Sequence, residues 1–353
     1  MPIAIIAITG NGARLGSRLK EQLAGAELYV LARHHGKAGK GAVRFDGELK
    51  ELIAELWSTV SGFVCIMATG IVVRLIAPHL TGKDVDPAVV VMDDAGKFAV
   101  SLLSGHLGGG NELAERAAFI TGARAVITTA TDANELPSFD MLAKEHGWAI
   151  DDLSRVKTLN SLLLENGKIA CADTTGLVRP YFHGRVNLLF VDSFVAAFRS
   201  GAAGLLFVTN ALVPPQMQSD NLLVLRPRNL YLGIGCNSGT TAEEIGDVIR
   251  ANLRRLLLSP ASVAAIATAE AKRHEPGLVA CAGELGVPLL CFESSELNGV
   301  VAPSPPSEHA LAAIGAAGVA EPAALLASQG GELLLKKVKS GNVTLAIAEK
   351  QNN

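Results

Sequence analysis

The chain has 353 residues, 49% apolar but only 5% aromatic, so its apolar mass is Ala, Val, Ile and Leu, the composition of buried parallel strands and the helices that cover them. A formal charge of −3, from 31 basic and 34 acidic residues, excludes the basic excess of a nucleic-acid binder, and 18% charged residues exclude a disordered chain or a long coiled coil. Five cysteines without a C-x-x-C pair argue against a disulfide framework or a thiolate zinc site; with no basic n-region and no apolar run near the ~20 residues of a membrane helix, a cytoplasmic protein without resident metal, nucleic acid or membrane partner is expected.

In chain order, a strand is expected at 3–8, then Gly10, Asn11 and Gly12, then a helix at 14–24. A second strand at 63–68 delivers Thr69 and Gly70 to a helix reaching 80. Strands at 88–92 and 98–103 form a hairpin across Asp93, Asp94, Ala95 and Gly96. A glycine-rich turn at 105–110 leads to a helix at 111–120 and a strand at 125–129. This alternation marks a largely parallel sheet. Residues 137–226 read differently, with helices at 138–146 and 153–164, short strands near 169, 186–191 and 205–208, and a Pro-rich linker at 213–220. The alternation resumes with a strand at 230–234, a turn at 235–239 and a helix at 242–257. A strand at 263–268, a helix at 276–285, a strand at 288–292 and a hairpin of 332–337 with 343–348 complete it. The expected class is α/β: a three-layer α/β/α domain at 1–136, a small α+β segment and linker at 137–226, and a second three-layer α/β/α domain at 227–353. Gly10, Gly12 and Gly16 repeat the spacing of Gly233, Gly235 and Gly239, an echo that two like domains or chance would give.

Several segments carry chemistry. The G-x-G-x-x-x-G run at Gly10 is one residue longer than the dinucleotide fingerprint, and no acid closes the next strand. None of Tyr29, Tyr181 and Tyr231 has a lysine four residues on, so an NADP-binding reductase is a rival that lacks its acid and its lysine. The Thr69–Gly70 helix start offers N–H groups to a carboxylate, with Arg74 one turn in; equally, Thr69 is an ordinary N-cap. In S-L-L-S-G-H-L-G-G-G-N-E at 101–112, His106 sits among four glycines after Ser104, and Asn111 and Glu112 open a helix. Histidine titrates near neutrality and glycines let a backbone approach a ligand, so His106 is a base or a structural hydrogen-bonding group. V-I-T-T-A-T-D at 126–132 ends in hydroxyls and Asp132, which competes with Glu112 as orienter of a base or caps a helix. G-C-N-S-G-T-T at 235–241 reads as an anion-cradling nest containing Cys236, Asn237 and Thr240. Thr240 with Glu243, and Thr241 with Glu244, fit capping boxes, and a helix start beside Cys236 would lower its thiol pKa. Lys336, Lys337 and Lys339 meet a polyanion or guard an edge strand.

At these segments the chain resembles a known family. M-A-T-G-I-V-V-R-L-I-A-P, D-P-A-V-V-V-M-D, S-L-L-S-G-H-L-G-G-G-N-E-L-A and V-I-T-T-A-T-D are similar to the N-terminal part of the cobalt-precorrin-5A hydrolases, the CbiG family of the anaerobic cobalamin pathway. Y-L-G-I-G-C-N-S-G-T-T-A-E-E-I, H-E-P-G-L and G-N-V-T-L-A-I-A resemble its C-terminal domain. Both ends match in order, hence effectively the whole chain. Gly110 stands where alanine is expected, and residues 304–308 depart from the family's usual form. The resemblance implies hydrolysis without an external cofactor, cobalt being carried by the substrate. The δ-lactone of a partly contracted cobalt tetrapyrrole is opened, and the former meso carbon leaves with its methyl as acetaldehyde, giving cobalt-precorrin-5B. Catalytic residues are not implied by the resemblance. Chemistry alone assigns His106 as base, oriented by Glu112 or Asp132, with oxyanion donors from the turn at Gly108, Gly109 and Gly110 or from the helix start at Thr69 and Gly70. Arg74, Lys336 and Lys337 would grip carboxylates, with Ser104, Asn111, Cys236, Asn237 and Thr240 beside the ring. The macrocycle is expected between the first and last domains, with hand-over to neighbouring pathway methyltransferases. A non-catalytic tetrapyrrole carrier is the second rival.

Overall fold

Strands β1 (Ile3–Ala7) and β4 (Gly62–Ile66) are apolar on both faces, the pattern of strands covered on both sides. In the computed structural model, which describes residues 2–82, 85–129 and 136–351, they form the centre of a seven-stranded sheet. The chain divides into two compact units, Met1–Met141 and Leu142–Asn353.

The first unit adds β2 (Ala26–Leu31), β3 (Val43–Phe45), β5 (Ala88–Met92), β6 (Phe98–Leu103) and β7 (Arg124–Val126), in the order β3-β2-β1-β4-β5-β6-β7. Ile5, Ala7, Val64, Ile66, Val90 and Met92 pack under α1 (Gly10–Gln22) and α4 (Gly110–Thr121). Ala4, Ile6, Phe63, Cys65, Val89 and Val91 pack under α2 (Leu49–Leu56) and α3 (Thr69–Ile76). This period-two alternation between two helical layers gives the expected α/β/α sandwich, each large buried side chain contributing roughly 1.5–3 kcal/mol.

Strand direction decides where loops go. The strands from β3 to β5 are parallel, but β6 returns antiparallel, pairing Leu103 with Val89 at the start of β5, and β7 is parallel to β6. Bends after β1 and β4 therefore lie at one edge of the sheet, and those after β6 and β7 at the opposite edge. Five residues at about 3.3 Å each separate the edges by roughly 16 Å. The crevice expected to combine the Thr69 and Ser104 bends does not form, because an antiparallel strand lies between them.

Several boundaries differ from expectation. Helix α1 starts at Gly10, capped by Thr9, so Gly10 and Gly12 belong to its first turn. Gly233 and Gly235 lie inside a strand, so the glycine echo is coincidence. Helix α3 stops at Ile76 because Pro78 follows within a 3-10 turn, and β7 ends at Val126 rather than 129.

In the second unit, β8 (Ala149–Ile150), β9 (Ile169–Asp173), β10 (Leu188–Phe190), β11 (Gly204–Val208) and β12 (Leu222–Arg226) form a sheet in the order β10-β9-β11-β12-β8. All pairs but β12–β8 are parallel. The segment expected as α+β is thus a parallel-dominated α/β sheet, with α6 (Leu153–Leu164), α7 (Val178–Phe182) and α8 (Phe194–Arg199) between its strands. The expected linker at 213–220 is instead part of the β11–β12 crossover, and Val213 and Met217 pack on the core. The chain passes to the third sheet through residues 227–229. There buried Arg226 holds Asp151 (2.7 Å) and Thr209 O (3.1 Å), while Asn210 and Asn229 both donate to Glu349 Oε1 at 2.7 and 2.8 Å.

The third sheet runs β15-β14-β13-β17-β16, from β13 (Leu230–Cys236), β14 (Val263–Ala269), β15 (Leu289–Phe292), β16 (Glu332–Ser340) and β17 (Val343–Glu349). Leu230, Leu232 and Ile234 face α9 (Ala242–Arg255) and α10 (Pro276–Leu285). The other face is built from small residues, Ala267, Ala269, Ala346 and Ala348, which let α13 (Ala320–Ala327) and α11 (Ser294–Asn298) lie close. Helix α12 (Glu308–Ile314) precedes α13.

Candidate functional site

The bend after β6 closes on itself. Ser104 adopts a left-handed φ of 53°, and its hydroxyl donates to Asp86 O at 2.9 Å. A side chain held there stores strain of the order of 1 kcal/mol, a feature that concentrates at functional sites. The N–H groups of Gly109, Gly110 and Asn111 donate to His106 O, Ser104 O and Gly105 O at 3.0, 2.9 and 2.9 Å. Gly110 has no room for a side chain, since a Cβ would lie 2.6 Å from Leu103 O. The oxyanion donors expected from this turn are corrected accordingly: the Gly109 and Gly110 N–H groups already serve the turn's own carbonyls.

This closure presents His106. Its Nδ1 lies 3.0 Å from Oδ2 of Asp140, with 14% and 8% of the two side chains exposed. Asp140 stands in the first turn of α5 (Phe139–Glu145), next to Phe139 on the helix's buried face. Of the carboxylates expected to orient His106, Glu112 is an exposed residue in the first turn of α4. Asp132 lies outside the described residues. Asn111 ties the edge together: its Oδ1 accepts from Ser101 Oγ (2.7 Å) and its Nδ2 donates to Thr129 Oγ1 (3.1 Å). The structure thus gathers Ser104, His106, Gly108, Gly109, Asn111 and Thr129 at one edge, together with Asp140, which the sequence reading missed.

At the opposite edge, Thr69 and Gly70 form the exposed start of α3. Ala68 is the N-cap residue there, so Thr69 is not the cap. Arg74 Nη1 donates to Gly70 O of its own helix at 2.7 Å rather than projecting as a carboxylate clamp. The neighbouring start of α1 is filled from within: Thr9 Oγ1 accepts from Gly12 N and donates to Asp94, whose other oxygen accepts from Asn11 Nδ2 at 3.1 Å. A carboxylate there takes the place of a dinucleotide's pyrophosphate and would repel it, which weighs against the reductase.

The second unit holds a cleft of about 800 Å³ at the end of β13. Cys236, Asn237 and Lys337 line it; Lys336 is exposed and does not, and Thr240 is buried with its hydroxyl donated to Asn237 O at 2.7 Å. The nest at 235–241 is already occupied, since Gly239 N donates to Glu275 Oε1 at 2.7 Å. Lys272 pairs with the same carboxylate at 2.9 Å, and this bond with the Gly239 N–H holds Glu275 below the usual carboxylate range. Cys236 is the last residue of β13 rather than part of a helix start, and burial raises its pKa, against the expected lowering. Thr241 caps α9 as expected, but the Glu244 carboxylate reaches Asn342 N (2.9 Å) in the β16–β17 turn instead of completing a capping box.

Buried Glu321 accepts from Ser304 N, Ser304 Oγ and Lys337 N at 3.0, 2.7 and 2.8 Å, fixing the 304 loop to β16. Burial pushes its carboxyl up, but the hydrogen bonds from Lys337 and Ser304 outweigh this and leave it below the usual range. A lowered folded-state pKa contributes stability above the unfolded value and loses it as pH falls through the folded value. Glu321→Gln is therefore expected to cost about 1–3 kcal/mol at neutral pH. It should also flatten the decline of Tm below about pH 5. Parallel Tm–pH curves for the two proteins would show that this carboxyl does not titrate on unfolding.

Sequence comparison places these features in a family. The profile described as cobalamin synthesis G N-terminal matches residues 51–132, the cobalamin biosynthesis central region 137–227, and the cobalamin synthesis G C-terminus 230–348. The cobalt-precorrin-5A hydrolase of Priestia megaterium is 33% identical over 353 residues, covering 98% of this chain and 94% of the relative. The chain belongs to the CbiG family. The cobalt-precorrin-5A hydrolase of Salmonella typhimurium is 31% identical, covering 98% of this chain and 97% of the relative. A solved cobalamin biosynthesis protein G homolog from Sulfolobus solfataricus is 24% identical, covers 99% of this chain and 97% of its own, and superposes with a TM-score of 0.38. The CbiG N-terminal match includes the 101–112 turn, and the central match begins at 137, just before Asp140. Among the described residues, no helix is long and apolar enough to cross a membrane, and no group of three or more His, Cys, Asp or Glu is placed to hold a metal ion.

Proposed function

We propose that this CbiG-family chain is a cobalt-precorrin-5A hydrolase that opens the δ-lactone of a cobalt tetrapyrrole and releases acetaldehyde, with His106 as its base. The activity is supported by full-length similarity to relatives that carry that name. The base is supported by one observation, the 3.0 Å pairing of His106 Nδ1 with the shielded Asp140 carboxylate. An Nδ1–H donated to Asp140 leaves the Nε2 lone pair to take a proton from water. Water adds to the lactone carbonyl, and the ester C–O bond breaks to give a carboxylate and a secondary alcohol. Removal of the alcohol proton then lets the C–C bond to the ring break. The electron pair passes into the conjugated macrocycle, which takes up a proton, and the two-carbon unit leaves as acetaldehyde. One base serves both deprotonations, and water is the sole co-reactant. Thr129, whose Oγ1 accepts from Asn111, retains a hydroxyl proton to offer the developing oxyanion, a role worth ~3 kcal/mol. Ser104, Gly108 and Gly109 shape the same edge.

Anaerobic incubation with cobalt-precorrin-5A should release one acetaldehyde per ring opened, trapped as its hydrazone. Tight binding without aldehyde would instead make the chain a carrier.

A further inference from the structure

We propose that the cleft of the second unit is a recognition subsite for the carboxylate fringe of the macrocycle, with Lys339 and Lys337 as its cationic grips and the α12 wall as the seat of the ring. The identity of the ligand rests on the hydrolase reading; the subsite itself stands on residues that reading does not use for chemistry.

The cleft's volume of about 800 Å³ lies within the ~300–1,000 Å³ of small-molecule sites. Its charges are not equivalent. Lys272 is held by Glu275 and Ser238, both at 2.9 Å, so that cation and that carboxylate neutralise each other. Lys337 Nζ donates to Pro305 O at 3.2 Å and its charge helps lower the Glu321 carboxyl, while among the described residues none pairs with the Lys339 ammonium. Lys339 therefore lines the cleft with no carboxylate paired to it, and Lys337 lines it beside the buried Glu321. Burial raises the pKa of the Cys236 thiol, which disfavours a thiolate in the cleft. Ala310, Ala313 and Ile314 of α12, with Val319, give the cleft an apolar part, beside the polar Ser307 and His309 of the same segment. Val319 is also the cap residue of α13 and supplies no side-chain hydrogen bond to that helix start. A phosphate or small carboxylate needs the cations but not the wall, and an apolar metabolite needs the wall but not the cations. A flat ring with carboxylates at its rim uses both.

The probe is uroporphyrin, a tetrapyrrole with eight carboxylates, titrated by absorbance against the full chain. Lys339→Ala should weaken binding about two- to fivefold, as expected for an exposed ion pair. Lys339→Glu should weaken it more, Lys339→Arg should restore it, and added salt should weaken the unsubstituted protein most. Lys336→Glu, on the same strand but outside the cleft, should leave it unchanged. The proposal is overturned if the unsubstituted chain does not bind uroporphyrin, if Lys339→Glu binds as the parent does, or if Lys336→Glu weakens binding as much as Lys339→Glu. Lys339-dependent binding without acetaldehyde release would sink the hydrolase reading and leave the subsite standing. Acetaldehyde release with a KM indifferent to Lys339→Glu would do the reverse.

Discussion

His106→Gln is expected to lower acetaldehyde release by about 10²–10⁴-fold, the range a positioned general base contributes, while the protein still binds its substrate. Glutamine keeps a polar side chain of similar reach and can donate to Asp140, so the turn at 104–110 retains its backbone hydrogen bonds. What it lacks is a lone pair basic enough to take a proton from water. Asp140→Asn is the sharper test of the geometry. A carboxylate accepts Nδ1–H and leaves Nε2 unprotonated; an asparagine amide can present its N–H₂ to Nδ1 and favour the tautomer with the proton on Nε2. The fall in kcat should then approach that of His106→Gln, with KM and Tm nearly unchanged, because an amide fills the same space. A merely structural pairing would lower Tm and leave kcat alone. Turnover by His106→Gln within threefold of the parent would remove the residue from the mechanism.

The class of fold was legible because the strands of the first and third sheets are contiguous aliphatic runs bounded by glycine and polar turns. Phe63 to Ile66 and Leu230 to Ile234 could hardly be anything else. The middle sheet was harder. Its strands β9 to β12 are three to five residues long, and β12 follows a Pro-rich crossover that reads as a linker in one dimension and packs Val213 in three. Sites fared differently according to how local they are. His106 stood out because a histidine among glycines is rare in a packed chain. Its partner lay 34 residues away at a helix start, where an aspartate is already explained by the helix dipole. One signal was available: Asp140 shares the buried face of α5 with Phe139 and Ala143, and an acid on an apolar helix face needs a partner. Two of the expected anion cradles are filled from within the chain. At the start of α1 the Thr9 hydroxyl takes the Gly12 N–H and, with Asn11, holds Asp94, and at the 235–241 nest Glu275 takes the Gly239 N–H. Sequence spacing reveals the cradle but not the occupant.

The third sheet allows the same substitution to act with opposite signs. Gly233 lies in the middle of β13 facing α13, and a Cβ there would sit 1.8 Å from Ala320 O and 2.7 Å from Ala324 N. These are backbone atoms of a helix and cannot rotate aside. Gly233→Ala must therefore lift α13 from the layer formed by Ala320, Ala324, Ala346 and Ala348. Overpacking costs about 1–3 kcal/mol when side chains can adjust and more when backbone must move. We expect at least about 3 kcal/mol, a fall in Tm of roughly 6–12 °C for a unit of this size. Gly283, in the last turn of α10, has nothing within 4 Å of its added Cβ, so Gly283→Ala should raise stability by about 0.5–1 kcal/mol through the entropy of the unfolded chain. Calorimetry on both variants decides the matter, and a Gly233→Ala protein melting with the parent would show that α13 is not seated on that strand. The displacement also carries a functional consequence. Ala320 and Val319 border the cleft, so any Gly233→Ala protein that folds should bind uroporphyrin more weakly even though its lysines are intact.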